Sequence, residues 1–549
     1  MAIYKNANDP EIDVNSLSCP SDSDNAVELP VLNLARSRIS TVVDLESQPE
    51  KQDYRISSEL TSEDEQKSPG STAATTPSEE KSEIDPNLVT WDGPDDPKNP
   101  QNFTKLRKMQ IMVTISLSTF IIPLASSMFA PGVPDIMVEF NFQSQILGSF
   151  VVSIFVLGFV VGPMFIAPLS EMYGRTIMYR VTSVISTGLI IGCGECHSLA
   201  VLFVLRFLSG SFGSTAIALG AGAVADIFPV DKRGRYMAIY VLGPVCGPAV
   251  GPIIGGFLAA VSWRWIFRVI GIVAGLLAIA CFFLDETYAP ILLRRKAARL
   301  RKETGNAALY SIYEDRVTSP FSILSRSIIR PVQLLIASPV VLIPSLLSAC
   351  TYGELYLLFT TFTDVFETQY GFSTDIVGLA YIGLGLGSLS SCFIMIFFAD
   401  RIMIHLANKR PDKKRQPEFR LPLVIILTPF VTIGLLIYGW TADKQVHWIV
   451  PIIGTYFVGL GILASLAPIT GYLVDSYHIY AASASSACTM IRSLGGAFLP
   501  LAGPKMYAAL GLGWGNTLLA FITLGMWPVP VALYFYGDRL RKKFQPDFH

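Results

Sequence analysis

Long apolar segments alternate with short polar segments from residue 109 almost to the end of the chain. Twelve of these segments are about 20 residues long, and an α-helix of that length crosses roughly 30 Å of hydrocarbon. Because a bilayer core offers no water to unpaired backbone groups, the pattern predicts an all-α integral membrane protein with 12 transmembrane helices. The predicted spans, numbered 1 to 12, lie near 109–130, 146–168, 178–195, 200–225, 236–260, 265–284, 338–362, 376–399, 420–440, 446–470, 483–505 and 514–536.

A more polar stretch with a basic run from Arg294 to Lys302 divides the spans into two sets of six. The expected organisation is therefore six spans, a linker and six spans. Its predicted parts are an N-terminal six-helix half at 101–285, a cytosolic linker at 286–337, a C-terminal six-helix half at 338–537 and a cytosolic C-terminal tail at 538–549.

The first 100 residues are rich in Ser, Glu, Asp and Pro, and they carry 8 Lys and Arg against 21 Asp and Glu. Such a segment buries too little apolar surface to offset the loss of chain entropy, so 1–100 is predicted to be a disordered acidic cytosolic tail. Ser68 and Thr76, each followed by Pro, are candidate phosphorylation sites. The residues near Met1 do not include the apolar stretch of a signal peptide, so no cleavable signal peptide is expected. We expect span 1 to direct membrane insertion.

The whole chain is 51% hydrophobic and 15% charged, whereas about 25% of the residues of soluble proteins are charged. This composition excludes a single water-soluble domain. Nine Lys and Arg lie in 286–337 and seven in 400–420. Because basic loops resist translocation, both termini are predicted to be cytosolic. Basic residues on loops between apolar runs do not form a nucleic-acid-binding domain.

Four charged residues interrupt the apolar spans. Arg206 lies in span 4, Arg268 near the outer end of span 6, Glu354 in span 7 and Arg492 near the middle of span 11. An ionised side chain at the bilayer centre costs about 2.5–3.5 kcal/mol, so each should face a polar cavity or a partner. Arg268 can extend to the interface. Arg206 and Arg492 fit either a functional site or hydrogen bonds that only order the bundle, and Glu354 is a candidate proton or cation site.

Span 5 contains a repeated pattern of glycine and proline. Glycine at every fourth residue allows close backbone approach, and each proline removes a donor and bends the helix. The pattern indicates either a tight packing seam or a bent hinge that excludes water. Its residues are Gly243, Pro244, Gly247, Pro248, Gly251, Pro252, Gly255 and Gly256.

A motif at the cytosolic end of span 2 runs from Gly162 to Arg175. Gly174 can end the helix, and Glu171 can pair with Arg175 four residues later, or either can pair with another helix end. Asp226, at the cytosolic end of span 4, is the natural second carboxylate. The cluster indicates either a conformational switch between helix ends or an ordinary solvated turn.

Together these motifs resemble the fungal members of the twelve-span drug:proton antiporter family in the major facilitator superfamily, over about residues 90–540. The stretch from Gly162 to Arg175 is similar to the superfamily's loop 2–3 signature, with Glu171 in place of the usual Asp. Leu205 to Gly213 resembles the span 4 signature, whose Arg the family associates with proton coupling. The span 5 repeat is similar to the antiporter signature, and the second half keeps only the remnant Asp400-Arg401.

The resemblance implies a plasma-membrane transporter with two pseudo-symmetric six-helix halves that rock about a central cavity and export small organic compounds in exchange for protons. A monomer without enzymatic activity, cofactor or metal ion is expected, with a small-molecule substrate, the proton and the lipid bilayer as its partners. Arg206, Glu354 and Arg492 are the proton-coupling candidates. Aromatic and Met side chains suit a loosely selective cavity, whose candidates are Ser127, Met128, Phe129, Tyr352, Tyr381, Tyr456 and Phe457.

Other functions remain open on the sequence. An importer of a polyamine or another small organic solute would have the same fold, although the span 5 repeat argues against import. A membrane-embedded enzyme or receptor is disfavoured by the arrangement of the spans and by the lack of catalytic clusters. A nutrient sensor that transports nothing has only the acidic tail in its support.

Overall fold

The computed structural model of the protein describes residues 85, 87–313, 320–411, 415–477 and 480–544. Ser68 and Thr76, most of the tail predicted for 1–100 and the last residues of the tail predicted for 538–549 lie outside these residues. The described part is almost entirely helical, and its only two strands are β1 (Leu88–Val89) and β2 (Tyr310–Ser311).

The described residues form eighteen α-helices. In chain order they are α1 (Lys105–Ser127), α2 (Val133–Glu139), α3 (Gln145–Tyr173), α4 (Arg175–Gly194), α5 (Leu199–Gly213), α6 (Thr215–Ile227), α7 (Val230–Ala259), α8 (Trp263–Phe282), α9 (Ala289–Thr304), α10 (Pro320–Ala337), α11 (Pro339–Tyr370), α12 (Thr374–Val377), α13 (Ile382–Asn408), α14 (Pro422–Leu427), α15 (Pro429–Asp443), α16 (Ile449–Ser476), α17 (Ala481–Met526) and α18 (Pro528–Lys543).

Eleven apolar helical segments of the described chain are long enough to cross a bilayer. The last of them, Ala481–Lys543, has 63 residues, well over twice the length that a span needs. Gly511 interrupts it with φ 73° and ψ 173°, which lies outside the helical region, so this segment holds two spans. Helices therefore lie at all twelve predicted spans, and the span numbers are used for them below.

The face of the bundle that carries the linker helices α9 and α10 is called the linker face, and the other face is called the opposite face. The linker predicted for 286–337 thus contains two helices of its own. The sequence predicts that the linker face is cytosolic.

Span 5 packs along span 1 through its glycine stripe. The helix α7 continues through all three of its prolines. A Cβ on Gly247 would lie 2.6 Å from the carbonyl oxygen of Phe120, so only glycine permits this backbone approach. The glycines that meet span 1 in this way are Gly243, Gly247, Gly251 and Gly255. The last glycine of the pattern, Gly256, instead meets the Thr374 carbonyl and the Gly378 amide of span 8 in the other half.

The apolar core joins the two halves at one face only. Near the opposite face, one cluster of buried residues includes Phe129 and Phe155 of the first half together with Tyr356, Phe362 and Tyr438 of the second. Near the linker face the buried residues form separate clusters, one drawn from spans 1 to 6, one from spans 7 and 9 to 12 with the linker, and a small one at the end of span 8. The halves are thus sealed together at the opposite face and have separate cores at the linker face.

The segment 87–100 is ordered against the linker, so the prediction of disorder is wrong for these residues. Its strand β1 pairs in parallel with β2, and Lys296 Nζ donates to Asp92 Oδ1 at 2.5 Å. Asp96 is buried and accepts hydrogen bonds from the amides of Asp92 (3.0 Å) and Lys98 (2.8 Å). These bonds hold the pKa of the Asp96 carboxyl below its usual range. Composition could not show that the linker supplies partners for these polar groups.

Candidate functional site

Arg206 of span 4 is 1% exposed and is bonded to the backbones of two other spans. Its Nη1 donates to the carbonyl oxygen of Ala125 (3.1 Å) and its Nη2 to that of Ser126 (3.4 Å), in the last turn of α1. Its Nε donates to the carbonyl oxygen of Val151 (3.2 Å), and Nη2 also donates to that of Val152 (3.3 Å), in span 2. The guanidinium therefore ties spans 1, 2 and 4 together.

This position suits a permanent cation. The last carbonyls of a helix lack partners within it, and the helix dipole favours positive charge at that end. The rings of Phe129, Phe155 and Phe267 lie 4.9–5.7 Å from the guanidinium and close it off from water. No carboxylate of the described chain is within ion-pair distance of Arg206.

A buried hydrogen bond joins the two halves beside Arg206. Ser126 Oγ of span 1 and Tyr356 Oη of span 7 lie 2.7 Å apart. The ring of Tyr356 meets that of Tyr352 edge-on at 5.0 Å, and the guanidinium of Arg492 lies 5.4 Å from the Tyr352 ring. A continuous series of contacts thus runs from Arg206 in the first half to Arg492 in the second.

Four of the seven predicted cavity residues lie in closed packing. Ser127, Met128, Phe129 and Tyr381 are each no more than 1% exposed, at the side where the two halves share one core. Tyr381 Oη donates to the carbonyl oxygen of Phe359 at 3.0 Å. In this conformation these four residues are part of the closed side of the molecule.

The other three predicted cavity residues are half-buried and do not lie together. Tyr352 packs against the edge of the shared core. Tyr456 Oη donates to Ser390 Oγ at 3.2 Å, between spans 10 and 8. Phe457 stacks on Phe430 of span 9 with ring centroids 5.9 Å apart, and Phe430 belongs to a separate cluster.

Sequence reasoning missed the aromatic residues of span 7 that follow Tyr352. Tyr356, Phe359 and Phe362 are fully buried in the shared core, and each contacts a neighbouring aromatic ring at 5.0–5.5 Å. Their spacing of three or four residues places them on one helix face, and this periodicity was the available signal.

Glu354 follows Tyr352 by two residues, which places it on the other side of the helix. It is 1% exposed, and its Oε1 accepts a hydrogen bond from Thr523 Oγ1 of span 12. Its Oε2 has no hydrogen-bond partner among the described residues. Glu354 therefore lies inside the second half, away from the contacts that lead to Arg206.

Arg492 of span 11 is half-buried, and its Nε is buried without a hydrogen-bond partner in the described chain. No described carboxylate lies within 4.0 Å of it. Gly496, one turn further on, leaves room for the ring of Tyr352, because a Cβ at this position would lie 2.8 Å from Tyr352 Cδ1. The same Cβ would lie 3.3 Å from Val156 of span 2, so spans 2, 7 and 11 meet at this point.

The predicted motif at the end of span 2 forms a charged cluster at the linker face. Arg175 Nε lies 2.6 Å from Asp226 Oδ2, and its guanidinium lies 5.0 Å from the ring of Tyr288. Glu286 Oε1 accepts a hydrogen bond from the amide of Arg175 (3.0 Å) and Oε2 from that of Thr176 (3.3 Å), which caps the start of span 3.

The two glycines of the motif allow close approach. Gly174 has φ 107° and ψ 152°, and a Cβ there would collide with Glu286. A Cβ on Gly162 would collide with Ser211 and Ser214 of span 4. Glu171 is exposed and forms no ion pair with a described residue, so Arg175 pairs with Asp226 across to span 4 rather than with Glu171.

A matching ion pair in the second half was missed. Arg420 at the start of span 9 lies 2.5 Å from Asp475 at the end of span 10, as Arg175 at the start of span 3 lies against Asp226 at the end of span 4. Each aspartate follows by four residues a glycine whose missing Cβ leaves room for the arginine. These glycines are Gly222 and Gly471. The repeated Gly-x-x-x-Asp was the available signal in the sequence. The remnant Asp400-Arg401 is not part of this ion pair.

Known proteins resemble this chain over most of its length. The family model for the Major Facilitator Superfamily matches residues 115–500. The chain belongs to the major facilitator superfamily. The MFS-type transporter penM of Penicillium rubens is 50% identical over 84% of this chain and 92% of its own. The efflux pump radE of Floropilus chiversii is 45% identical over 86% of this chain and 87% of its own.

Solved structures of the superfamily share the fold. The xylose transporter XylE of E. coli, in a partially occluded inward open conformation, matches with a TM-score of 0.59 and 16% identity, over 79% of this chain and 98% of that chain. The predicted all-α membrane fold of the superfamily is confirmed. The protein is a membrane transporter and not an enzyme, as predicted.

Replacing Gly174 tests the junction between spans 2 and 3. We expect Gly174→Ala to lower the free energy of unfolding by about 1–3 kcal/mol, because alanine is strained at this φ and ψ and its Cβ meets Glu286. Thermal unfolding of the purified protein in detergent measures the change. Gly188→Ala is the matched control, since no atom lies within 4 Å of its Cβ position. Equal stability of the two variants would contradict the role of Gly174.

Replacing Arg206 by Met tests whether its four carbonyl contacts hold the first half together. We expect the free energy of unfolding to fall by at least about 3 kcal/mol, since each of the four hydrogen bonds involves a charged group and contributes about 1.5–3 kcal/mol. Arg206→Lys, which keeps the charge but has fewer donors, should lose less. Normal unfolding of both variants together with lost transport would assign Arg206 to proton coupling alone.

Proposed function

We propose that the protein exports small organic compounds, such as toxins or secondary metabolites, in exchange for protons, and that its two halves expose a central path alternately to each side of the membrane. The observation that carries this proposal is the core, which is shared by both halves at the opposite face and divided between them at the linker face. A path closed at one face between two rigid halves is what alternating access requires.

Several features support the direction of transport. With the linker face in the cytosol, the conformation described here is the one that takes up a compound from the cytosol. Of the two relatives described above, radE is named as an efflux pump and penM as a transporter of the same superfamily. We place the protein in the plasma membrane with both termini in the cytosol. We also propose that the functional unit is a monomer.

The proton gradient is a sufficient energy source for export. One charge moving through 100 mV releases about 2.3 kcal/mol, and a tenfold concentration ratio costs about 1.4 kcal/mol. One proton for each molecule can thus sustain a ratio of roughly fiftyfold.

Glu354 is the residue best suited to carry that proton. It is enclosed in span 7 with a single hydroxyl partner, and one of its oxygens is unbonded within the described chain. A carboxylate in such surroundings lacks a compensating cation, whereas a protonated carboxyl needs none. Arg206, in contrast, is held by backbone carbonyls and supports coupling through the position of spans 1, 2 and 4.

Transport is tested in vesicles reconstituted with the purified protein. Everted vesicles take up an exported compound, and the proposal predicts accumulation of library compounds when the lumen is more acidic than the outside. A protonophore should abolish the accumulation. If acidification drives no accumulation across a broad library, the proposed function is wrong, and accumulation only with the reverse gradient would indicate symport with protons instead of exchange.

Glu354→Gln tests the proton assignment. We expect proton-driven accumulation by this variant to fall at least about tenfold and downhill transport to remain, because the amide fills the site but cannot be ionised. The rate measured at several pH values should also depend less on pH than that of the wild type. Glu195→Gln is the control, since Glu195 is an exposed carboxylate paired with Arg268. Unchanged pH dependence in Glu354→Gln would refute the assignment.

A further inference from the structure

The two mid-span arginines differ in the partners that surround their guanidinium groups. Arg206 has four carbonyl oxygens within hydrogen-bond distance. Arg492 has only the face of Tyr352, and its Nε is buried without a partner among the described residues. A cation held within a membrane span without an anion or carbonyl against it is costly, so a structural role alone does not explain it.

We propose that Arg492 and Tyr352 form an anion subsite for the transported compound, which makes hydrophobic organic acids a substrate class of this protein. This inference rests on the proposed transport function and specifies what the path recognises. A carboxylate or an acidic phenol would accept hydrogen bonds from the guanidinium, and an attached aromatic ring would pack against Tyr352.

The location fits a substrate entering from the linker face. Arg492 lies eleven residues into its helix, about 16 Å from the helix end at that face. It comes one turn before Gly496, where spans 2, 7 and 11 meet and the shared core begins. The subsite is therefore at the inner end of the region in which the two halves have separate cores.

The chemistry of the groups fits an acid. Guanidinium binds carboxylates with two parallel hydrogen bonds, and arginine keeps its charge even when it is partly buried. Ser348, one turn before Tyr352 in the same helix, has a buried hydroxyl without a hydrogen-bond partner in the described chain. Ser348 and Tyr352 are one turn apart and therefore lie on the same side of span 7.

The carboxylates of the described residues do not neutralise Arg492. Glu354 extends from the other side of span 7 and is bonded to Thr523 of span 12. No described carboxylate forms an ion pair with Arg492, whereas the arginines near the opposite face, Arg264 and Arg268, are paired with Glu139 and Glu195. An anion supplied by the substrate completes the arrangement.

The test compares an acid with a neutral compound of the same shape. Binding of 2-naphthoate and of 2-naphthamide to the purified full-length protein is measured by equilibrium dialysis, and accumulation of both is measured in the reconstituted vesicles. We expect the wild type to bind 2-naphthoate more tightly than 2-naphthamide. In Arg492→Gln the Kd of 2-naphthoate should rise at least tenfold while that of 2-naphthamide changes less than twofold.

Matched variants separate recognition from folding. Arg492→Lys should recover part of the affinity for 2-naphthoate, because it restores the charge without the paired donors. Arg268→Gln removes an arginine that is already paired with Glu195 and should leave both compounds unaffected. Thermal unfolding of each variant shows whether the fold is intact.

The outcomes distinguish this inference from the transport proposal. Proton-driven accumulation of neutral compounds, with no preference for 2-naphthoate or with equal losses of both naphthyl compounds in Arg492→Gln, would overturn the anion subsite and leave the transport function standing. Failure of every library compound to accumulate would overturn the transport function, and the assignment of a substrate class with it.

Discussion

A charge within the hydrocarbon must be bonded or meet water, and this constraint organises the centre of the molecule. Arg206 satisfies it completely with four backbone carbonyls and three aromatic rings. Glu354 satisfies it with one hydroxyl, and the half-buried Arg492 with an aromatic face and its partial exposure. The three charges thus form a series from fully to barely compensated, and the least compensated groups are the ones that we propose bind a proton or a ligand.

The spans and their order followed from hydropathy, because the length and apolar character of a membrane helix are local properties. The ordered segment 87–100 did not follow, since its partner Lys296 is about 200 residues away. The same limit applies at the site. Ser126 and Tyr356 are 230 residues apart, and composition gave no reason to pair them. Phe457 looked equivalent to Tyr352 as an aromatic residue in a span, yet it stacks on Phe430 of span 9, because which side of a helix faces the interior depends on neighbours that are not local.

The two halves have matching ion pairs at the linker face but different charged residues in the middle of their spans. The pairs Arg175–Asp226 and Arg420–Asp475 join corresponding helices at the linker face, each beside a glycine that admits the arginine. The mid-span charges have no such counterparts, since Arg206 is in span 4 and Glu354 and Arg492 are in spans 7 and 11. The repeated ion pairs tie neighbouring helices together within each half, whereas the residues that we propose for proton and substrate binding lie where the repeat is broken.

Small residues make several of the contacts between the halves, and this has a mechanical consequence. Gly256 meets the backbone of span 8, Gly385 meets Ala249, and Gly496 meets Val156. At these points the backbones approach closely without a side chain on the glycine, so one half can turn against the other there with little change in side-chain conformation. The hydrogen bond between Ser126 and Tyr356 is a polar exception that must break or shift if the shared core opens. Because it lies between the carbonyl bonded to Arg206 and the ring beneath Arg492, opening of the core necessarily alters the surroundings of both arginines.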